Sequence, residues 1–325
     1  MRSTSRFTRV PALIGATALV TAALAGCTAL PGFGGCDPVY TGGDSSTVVT
    51  TSGSGGSVDF PTPLISKTPE VSVIDHGDGD LITSGSQVDY TYTVYSGTDG
   101  TTLSAEDAGG RLATGLDESS LSEAFVCTHV GDTIALTTTI ADAFGAGAGA
   151  SAQLADDDTV VMVIDTSAVY LGKADGFNQL PQDGLPVVVT AVDGTPAISL
   201  AFVTAPTVTR VETVKAGDGR AISADDKVVV NLRAWTWPAA EGDSIVEYSD
   251  ANTWPGHRAY TASLADSADN PLPLGVRTAI TGAKVGSQLL VVIPPGDDNY
   301  ATPPQGLTAD STLIWVVDIL GIQKS

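Results

Sequence analysis

The stretch VGSQLLVVIPPGDDNY, residues 285–300, decides the fold of the region around it. A Gly-Ser turn precedes an apolar run at 289–293, and Pro294 and Pro295 end that run before an acidic loop carrying Tyr300. Short apolar runs bounded by turn residues are typical of buried strands, and proline cannot continue a hydrogen-bonded ladder. The stretch therefore predicts a buried β-strand that ends in a loop presenting a tyrosine.

This stretch is part of an internal repeat, which is the strongest indication of how the chain is organised. In the first block, HGDGDLITSGSQVDYTYTV matches AGDGRAISADDKVVVNLRA. Three blocks, at 76–94, 129–144 and 157–169, recur in the same order at 216–234, 284–300 and 310–322. The repeat predicts two copies of one structural unit.

The blocks predict an α+β fold. QVDYTYTVY at 87–95 alternates polar with apolar or aromatic residues, which is typical of a half-buried strand. TLIWVVDIL at 312–320 is a continuous apolar run, which is typical of a central strand. Before each Val-Gly turn, apolar residues at helical spacing predict a short helix: Leu121 and Phe125, then Val276, Ala279, Ile280 and Ala283. Each copy should therefore consist mainly of antiparallel strands plus one short helix.

The N-terminus has the features of an export signal. A basic start is followed by an apolar stretch at 11–24 and by Leu24-Ala25-Gly26-Cys27, which resembles a bacterial lipobox. The resemblance implies cleavage after residue 26 and lipidation of Cys27, which would hold the protein to the outer face of the cell membrane. An ordinary secretory signal with an incidental cysteine is the alternative reading.

Composition sets the remaining boundaries. Residues 27–66 are rich in Gly, Ser and Thr and predict a flexible tether. The first copy should extend over 67–176 and the second over 211–325, and a Gly- and Pro-punctuated linker with short strands should join them at 177–210.

Charge and motif content exclude several classes of function. The formal net charge of −22 repels phosphate backbones, so no nucleic-acid partner is expected. His76, His129 and His257 are not at metal-ligand spacing, and neither G-x-S-x-G nor a phosphate-cradling glycine loop occurs. We therefore expect no metal and no cofactor.

Two cysteines remain after the lipobox cysteine, Cys36 and Cys127. Outside the cytoplasm two such thiols more often pair than stay free, and a disulfide between them would fix the tether to the first copy. Two separate buried thiols are the alternative.

The second copy resembles the FKBP-type peptidyl-prolyl cis–trans isomerases, in particular their secreted two-copy lipoproteins. The motifs are the Gly-x-Gly start, the short helix before K-V-G-S, the strand ending in Pro-Pro, the tyrosine loop and the final T-L-I-W-V-V-D-I-L strand. The resemblance is strong over 211–325 and weak but collinear over 68–171. It implies two FKBP-like domains, each an antiparallel β-sheet wrapped around a short helix, with an aromatic pocket between sheet and helix.

The resemblance also implies roles for individual residues. Tyr300 would donate a hydrogen bond to a substrate carbonyl, and Trp315 would line the catalytic pocket. The rest of the substrate surface would be formed by Val276 at the pocket floor, Leu307 at its rim, Leu274, Tyr248 and Tyr260.

The chain departs from the family pattern at several positions. Leu232 stands where the family has a tyrosine, and Ala301 stands where a glycine normally follows the pocket tyrosine. The family's Phe-Asp pair should fall near Val246–Asp250, where Tyr248 or Asp250 is the substitute. In the first copy Phe144 replaces the tyrosine, so that copy is expected to be inactive.

The expected function is isomerisation of X–Pro bonds in proline-containing exported polypeptides, catalysed by the second copy. Two alternatives stay open: a weak or inactive FKBP-like chaperone or binding lipoprotein, and a structural surface lipoprotein.

Overall fold

The computed structural model describes residues 36–43, 49–52, 57–104, 108–200, 204–238, 244–267, 270–296, 298–300 and 302–323. The predicted signal peptide and Cys27 lie outside these ranges. The chain from Cys36 to Ser325 forms one compact unit.

The described residues form strands, three α-helices and three short 3-10 turns. The strands are β1 (Thr50–Ser52), β2 (Ser57–Asp59), β3 (Glu70–Asp75), β4 (Gln87–Ser96), β5 (Ala108–Ala113), β6 (Thr133–Thr139), β7 (Thr159–Tyr170), β8 (Phe177–Asn178), β9 (Val187–Thr190), β10 (Pro196–Ser199), β11 (Arg210–Ala216), β12 (Lys227–Thr236), β13 (Val246–Tyr248), β14 (Tyr260–Ser263), β15 (Gln288–Ile293) and β16 (Leu313–Ile322). The α-helices are α1 (Ser120–Ala124), α2 (Ile140–Phe144) and α3 (Leu274–Ile280). The 3-10 turns are Ala150–Ala152, Ser249–Ala251 and Pro255–His257.

Each copy of the repeat forms an antiparallel sheet, and the two sheets share one strand order. The first sheet has the order β3-β6-β7-β4-β5. The second sheet contains the order β11-β15-β16-β12, in which each strand corresponds to one of β3-β6-β7-β4. Strand β12 also pairs with β13 and with β14, and β8 pairs with β11 at the other edge. Mostly antiparallel sheets with few helices confirm the predicted α+β class. The division into two separate domains stays a prediction.

The Gly-Asp-Gly motif has the same structural role in both copies. Gly79 N–H donates to the Val130 carbonyl and Gly219 N–H donates to the Val285 carbonyl, each at 3.1 Å. A Cβ at Gly77 or Gly217 would overlap the carbonyl oxygen of that same valine. Only glycine permits this close approach of two backbone segments, which explains why the motif recurs.

Strands β15 and β16 are buried on both faces. Every residue of QLLVVI in β15 is buried, and so are nine residues of LIWVVDILGI in β16. Alternate side chains belong to two different apolar clusters, because neighbouring residues of a strand point to opposite faces. One face packs against α3 and carries Val291 and Trp315, whereas the other carries Leu290 and Ile314.

The predicted linker covers the second of these faces. Strands β9 and β10 pair as a hairpin in which Val188 lies opposite Ile198, and both pack on the cluster that contains Leu290. Leu185, which is 3 % exposed, belongs to the same cluster. The linker is therefore part of the second copy's packing.

A disulfide joins Cys36 to Cys127, with a Cα–Cα distance of 5.6 Å that lies within the range such bonds require. The predicted pairing is present in the structure. It connects the N-terminal part of the predicted tether to the segment between α1 and β6.

Asp318 is the most buried charged group of β16, with 1 % of its surface exposed. Its carboxylate accepts hydrogen bonds from Ala174 N–H at 2.8 Å and from Gln288 Nε2 at 2.7 Å. Burial nevertheless raises the pKa of Asp318 to about 6, against partial compensation by these donors and by Lys215 and Lys173. Asp318 thus links the second sheet to the end of the first copy, just before the predicted linker.

No helix among the described ranges is long and apolar enough to cross a membrane.

Breaking the disulfide should destabilise the fold. Its cysteines are 91 residues apart, so the bond removes much conformational freedom from the unfolded chain. We expect the double variant Cys36→Ser/Cys127→Ser to lose about 2–4 kcal/mol in the free energy of unfolding, measured by denaturant titration. A reductant should shift the wild-type midpoint and leave the variant's unchanged. Equal midpoints for wild type and variant would contradict this.

The buried carboxyl of Asp318 should make stability depend on pH. Because its pKa is about 6 when folded and 3.8 in the ordinary state, the folded form binds more protons between those values. Its stabilising contribution is complete below the ordinary pKa and is lost as the pH rises through about 6. At 1.36 kcal/mol per pKa unit, this difference in pKa corresponds to a change of about 3 kcal/mol in the free energy of unfolding.

Asp318→Asn should remove this dependence. As the pH rises from 4 to 7, the free energy of unfolding of the variant should therefore increase relative to that of the wild type. Any loss that is independent of pH cancels in that comparison. Asp78→Asn, at an exposed position, controls for the change in net charge. Parallel pH profiles for wild type and Asp318→Asn would refute the assignment.

Candidate functional site

A cavity of about 470 Å³ opens in the second copy, and four aromatic residues line it. Tyr248 ends β13, Tyr260 begins β14, Trp315 lies in β16 and Tyr300 lies in the loop after β15. These four were predicted as site residues, and the structure brings them to one place. Their roles in catalysis and substrate binding stay predictions.

The register of the sheet explains why the cavity exists. Ala234 in β12 pairs with Trp315 on one side and with Tyr248 on the other, so these three side chains share a face. The alanine, only 1 % exposed, places no more than a methyl group between the two aromatic residues of this row. Leu232, two residues earlier in β12, lines the cavity on the same face.

Tyr300 presents its hydroxyl at the rim of the cavity. Its backbone N–H donates to Asn299 Oδ1 at 2.8 Å, which fixes the loop that carries it. Its Oη donates to the carbonyl of Pro271 at 3.0 Å. The hydroxyl of Tyr300 is therefore positioned to hold a peptide carbonyl.

The cavity's tyrosines stay protonated at neutral pH. Burial, and then the nearby Tyr248, raises the pKa of Tyr300 well above its ordinary value. Burial also raises the pKa of Tyr260, and burial followed by the Asp250 carboxylate raises that of Tyr248. Each phenol therefore remains a neutral hydrogen-bond donor.

Trp315 provides the floor. It is 1 % exposed and is the largest of the fully buried side chains. Its indole N–H has no hydrogen-bond partner among the described residues. The floor is thus a rigid apolar surface that carries one unused donor.

Three residues predicted to contact substrate lie elsewhere. Val276 is completely buried in the core between α3 and the sheet, and neither Leu274 nor Leu307 lines the cavity. Leu307 packs against the edge of the same core. Val276 and Trp315 belong to the same buried cluster, and of the two only Trp315 lines the cavity.

The sequence interpretation missed the loop before α3. Asn270, Pro271 and Leu272 line the cavity, and so do Thr302 and Pro304 beyond Tyr300. Their signal was the N-P-L-P segment directly before the predicted helix, because prolines there fix the loop that enters the helix. Asp250, named as a substitute for the family's carboxylate, does line the cavity.

In the first copy the matching place is filled with aromatic rings. Tyr92 occupies the repeat position of Leu232, and its ring centroid lies 5.9 Å from that of Tyr90 and 6.3 Å from that of Phe144. Tyr90 packs on Phe125 at 5.2 Å. The first copy therefore packs four aromatic rings together at this repeat position, where the second copy has Leu232.

The described residues contain no cluster of His, Cys, Asp or Glu side chains suited to a metal ion.

No protein-family model and no curated protein matches the chain. Among solved structures, it is similar to FkpA from Escherichia coli, with 24 % identity and a TM-score of 0.29 over 44 % of this chain and 53 % of that one. The chain thus spans about half the length of the E. coli protein. It is also similar to the three FKBP domains of wheat FKBP73, with 14 % identity and a TM-score of 0.30 over 79 % of this chain and 95 % of that one. The wheat structure comprises FKBP domains, the family that the sequence motifs of this chain resemble.

Proposed function

We propose that this protein is an FKBP-type peptidyl-prolyl cis–trans isomerase whose active site is the aromatic cavity of the second copy. The observation that carries the proposal is the convergence of Tyr300, Trp315, Tyr248 and Tyr260 on one cavity of about 470 Å³. That size suits one proline ring and its neighbouring residue.

The reaction requires binding and exclusion of water, with no nucleophile or titrating base. Rotation of an X–Pro amide has a barrier of roughly 20 kcal/mol and takes tens to hundreds of seconds unaided. At the transition state the twisted amide loses resonance and becomes less polar. An apolar site that excludes water stabilises that state relative to the planar amide.

The cavity supplies the two elements this reaction needs. The indole of Trp315 and the side chains of Leu232 and Leu272 form apolar walls that would enclose the proline ring. The Tyr300 hydroxyl already donates to a peptide carbonyl, that of Pro271, in the free protein. A substrate carbonyl would compete for this donor and be held while the amide rotates.

We place this activity outside the cytoplasmic membrane. The basic start, the apolar stretch at 11–24 and the small residues before Cys27 support export and lipid anchoring. The disulfide between Cys36 and Cys127 also favours an oxidising compartment. The substrates would be proline-containing exported polypeptides that fold at the outer face of the membrane.

Leu232 keeps a second candidate function open. It stands where the family has a tyrosine, so the cavity lacks that hydroxyl. A chain that binds proline-containing peptides without accelerating their rotation would be a binding or chaperone module. The assay below separates the two.

Tyr300→Phe should reduce isomerase activity several-fold. The variant loses one neutral hydrogen bond, which contributes about 0.5–1.5 kcal/mol. The measurement is kcat/KM for cis–trans isomerisation of a proline tetrapeptide, using the chain from residue 28 onward. Tyr92→Phe removes a hydroxyl from the matching region of the first copy and should leave the rate unchanged.

A folded wild-type protein with no activity that still binds the tetrapeptide would establish the binding-module alternative. Equal rates for wild type and Tyr300→Phe would mean that the donor is not where we place it.

Cys27→Ala should release the protein from the membrane or leave its signal unprocessed, because the substitution removes the thiol to be lipidated. Cell fractionation and the mass of the mature N-terminus measure this outcome. Thr28→Ala is the matched control, because it changes the neighbouring residue, keeps the Cys27 thiol and the disulfide, and should leave the protein anchored. A Cys27→Ala variant that is still processed and membrane-bound would overturn the lipoprotein assignment.

A further inference from the structure

We infer that the first copy is a clamp that positions the cavity wall of the second, with Gln87 and Arg111 holding the strand that carries Tyr260. The inference rests on the proposed function in so far as Tyr260 is part of the active cavity. It assigns a role to a copy whose own pocket position is filled.

Strand β14 needs external support. It has four residues, Tyr260–Ser263, and within the described ranges it pairs with β12 alone. The turn that leads into it contains Gly256 and His257, both with positive φ, of 76° and 47°. A positive φ is uncommon for a residue with a side chain and persists only where surrounding contacts impose it.

Gln87 of the first sheet supplies those contacts at the turn. Its side chain is completely buried. Its Nε2 donates to the His257 carbonyl at 2.7 Å, and its Oε1 accepts from Ala259 N–H at 3.2 Å. One side chain therefore holds both the strained residue and the residue that directly precedes Tyr260.

Arg111 holds the strand on the other side of Tyr260. Its Nη1 donates to Thr261 Oγ1 at 2.7 Å. The guanidinium is itself fixed by two 2.7 Å bonds to Asp89, and it lies 4.8 Å from the centre of the Tyr170 ring. Because residues of the first copy fix the orientation of Arg111, its hydrogen bond to Thr261 restricts the movement of β14 relative to the first copy.

Apolar packing links the same two places. Ala168 and Tyr170 of the first sheet form one buried cluster with Val229, Ala259 and Leu320 of the second. Ala259 therefore meets the first copy through its backbone N–H and through its side chain. The segment 257–261 is held at three points by the first copy.

The test measures local order and catalysis in the same variants of the chain from residue 28 onward. Gln87→Leu removes both bonds to the turn at similar volume, and Thr261→Val removes the acceptor of Arg111. Thr138→Val is the matched control, because it removes one buried hydroxyl bond, to Ser120, inside the first copy's core. We expect faster hydrogen exchange of amides 259–263 and a several-fold lower kcat/KM in the first two variants only.

Gln87→Glu adds a readout that general destabilisation would not produce. The introduced carboxyl accepts from Ala259 N–H when ionised but donates to the His257 carbonyl only when protonated. Its kcat/KM relative to the wild type should therefore rise as the pH falls.

The outcomes separate the inference from the proposed function. Exchange at 259–263 that matches the Thr138→Val control overturns the clamp whatever the activity. Faster exchange with unchanged kcat/KM in an active enzyme also overturns it, because the wall would then not need positioning. If the wild type is inactive, the proposed function fails and exchange alone decides whether the first copy holds β14.

Discussion

The burial of β15 and β16 on both faces is the constraint on which the rest of the structure depends. A strand with apolar residues on both faces must be covered twice, because an exposed face would leave a row of large side chains in water. Helix α3 and the aromatic cavity cover one face, and the hairpin β9–β10 covers the other. The candidate site and the linker therefore lie on opposite faces of the same pair of buried strands.

The two copies show how small changes on a shared sheet open or close a cavity. At the row that passes through Trp315, the second copy places Ala234 beside the indole. In the first copy, the residues at the same repeat positions are Val94 and Met162, which pair with each other. Tyr92, two residues before Val94 in β4, supplies an aromatic ring on the same face. A small residue next to a large aromatic one leaves a void that the surrounding chain can line. Residues of similar volume fill the layer and leave a solid core.

The sequence predicted the parts that depend on periodicity and repetition. The repeat and the apolar runs predicted two antiparallel sheets of similar order, and the cysteine count indicated the disulfide. The sequence did not reveal every residue that lines the cavity. The resemblance put Val276 at the pocket floor, whereas the structure buries it in the core, and the N-P-L-P loop at 270–273 has no periodicity that reveals its contact with Tyr300. The clamp was equally hidden, because Gln87 and His257 are far apart in sequence.

The central claim is that a proline-containing peptide occupies the cavity floored by Trp315. The most direct measurement is the NMR resonance of the Trp315 indole N–H during titration with a proline tetrapeptide, assigned through a Trp315→Phe variant. The account predicts that this resonance shifts together with the amides around Tyr260 and Tyr300, while those around Tyr92 and Phe144 stay in place. Shifts confined to the first copy, or an unperturbed Trp315 signal at peptide saturation, would contradict it.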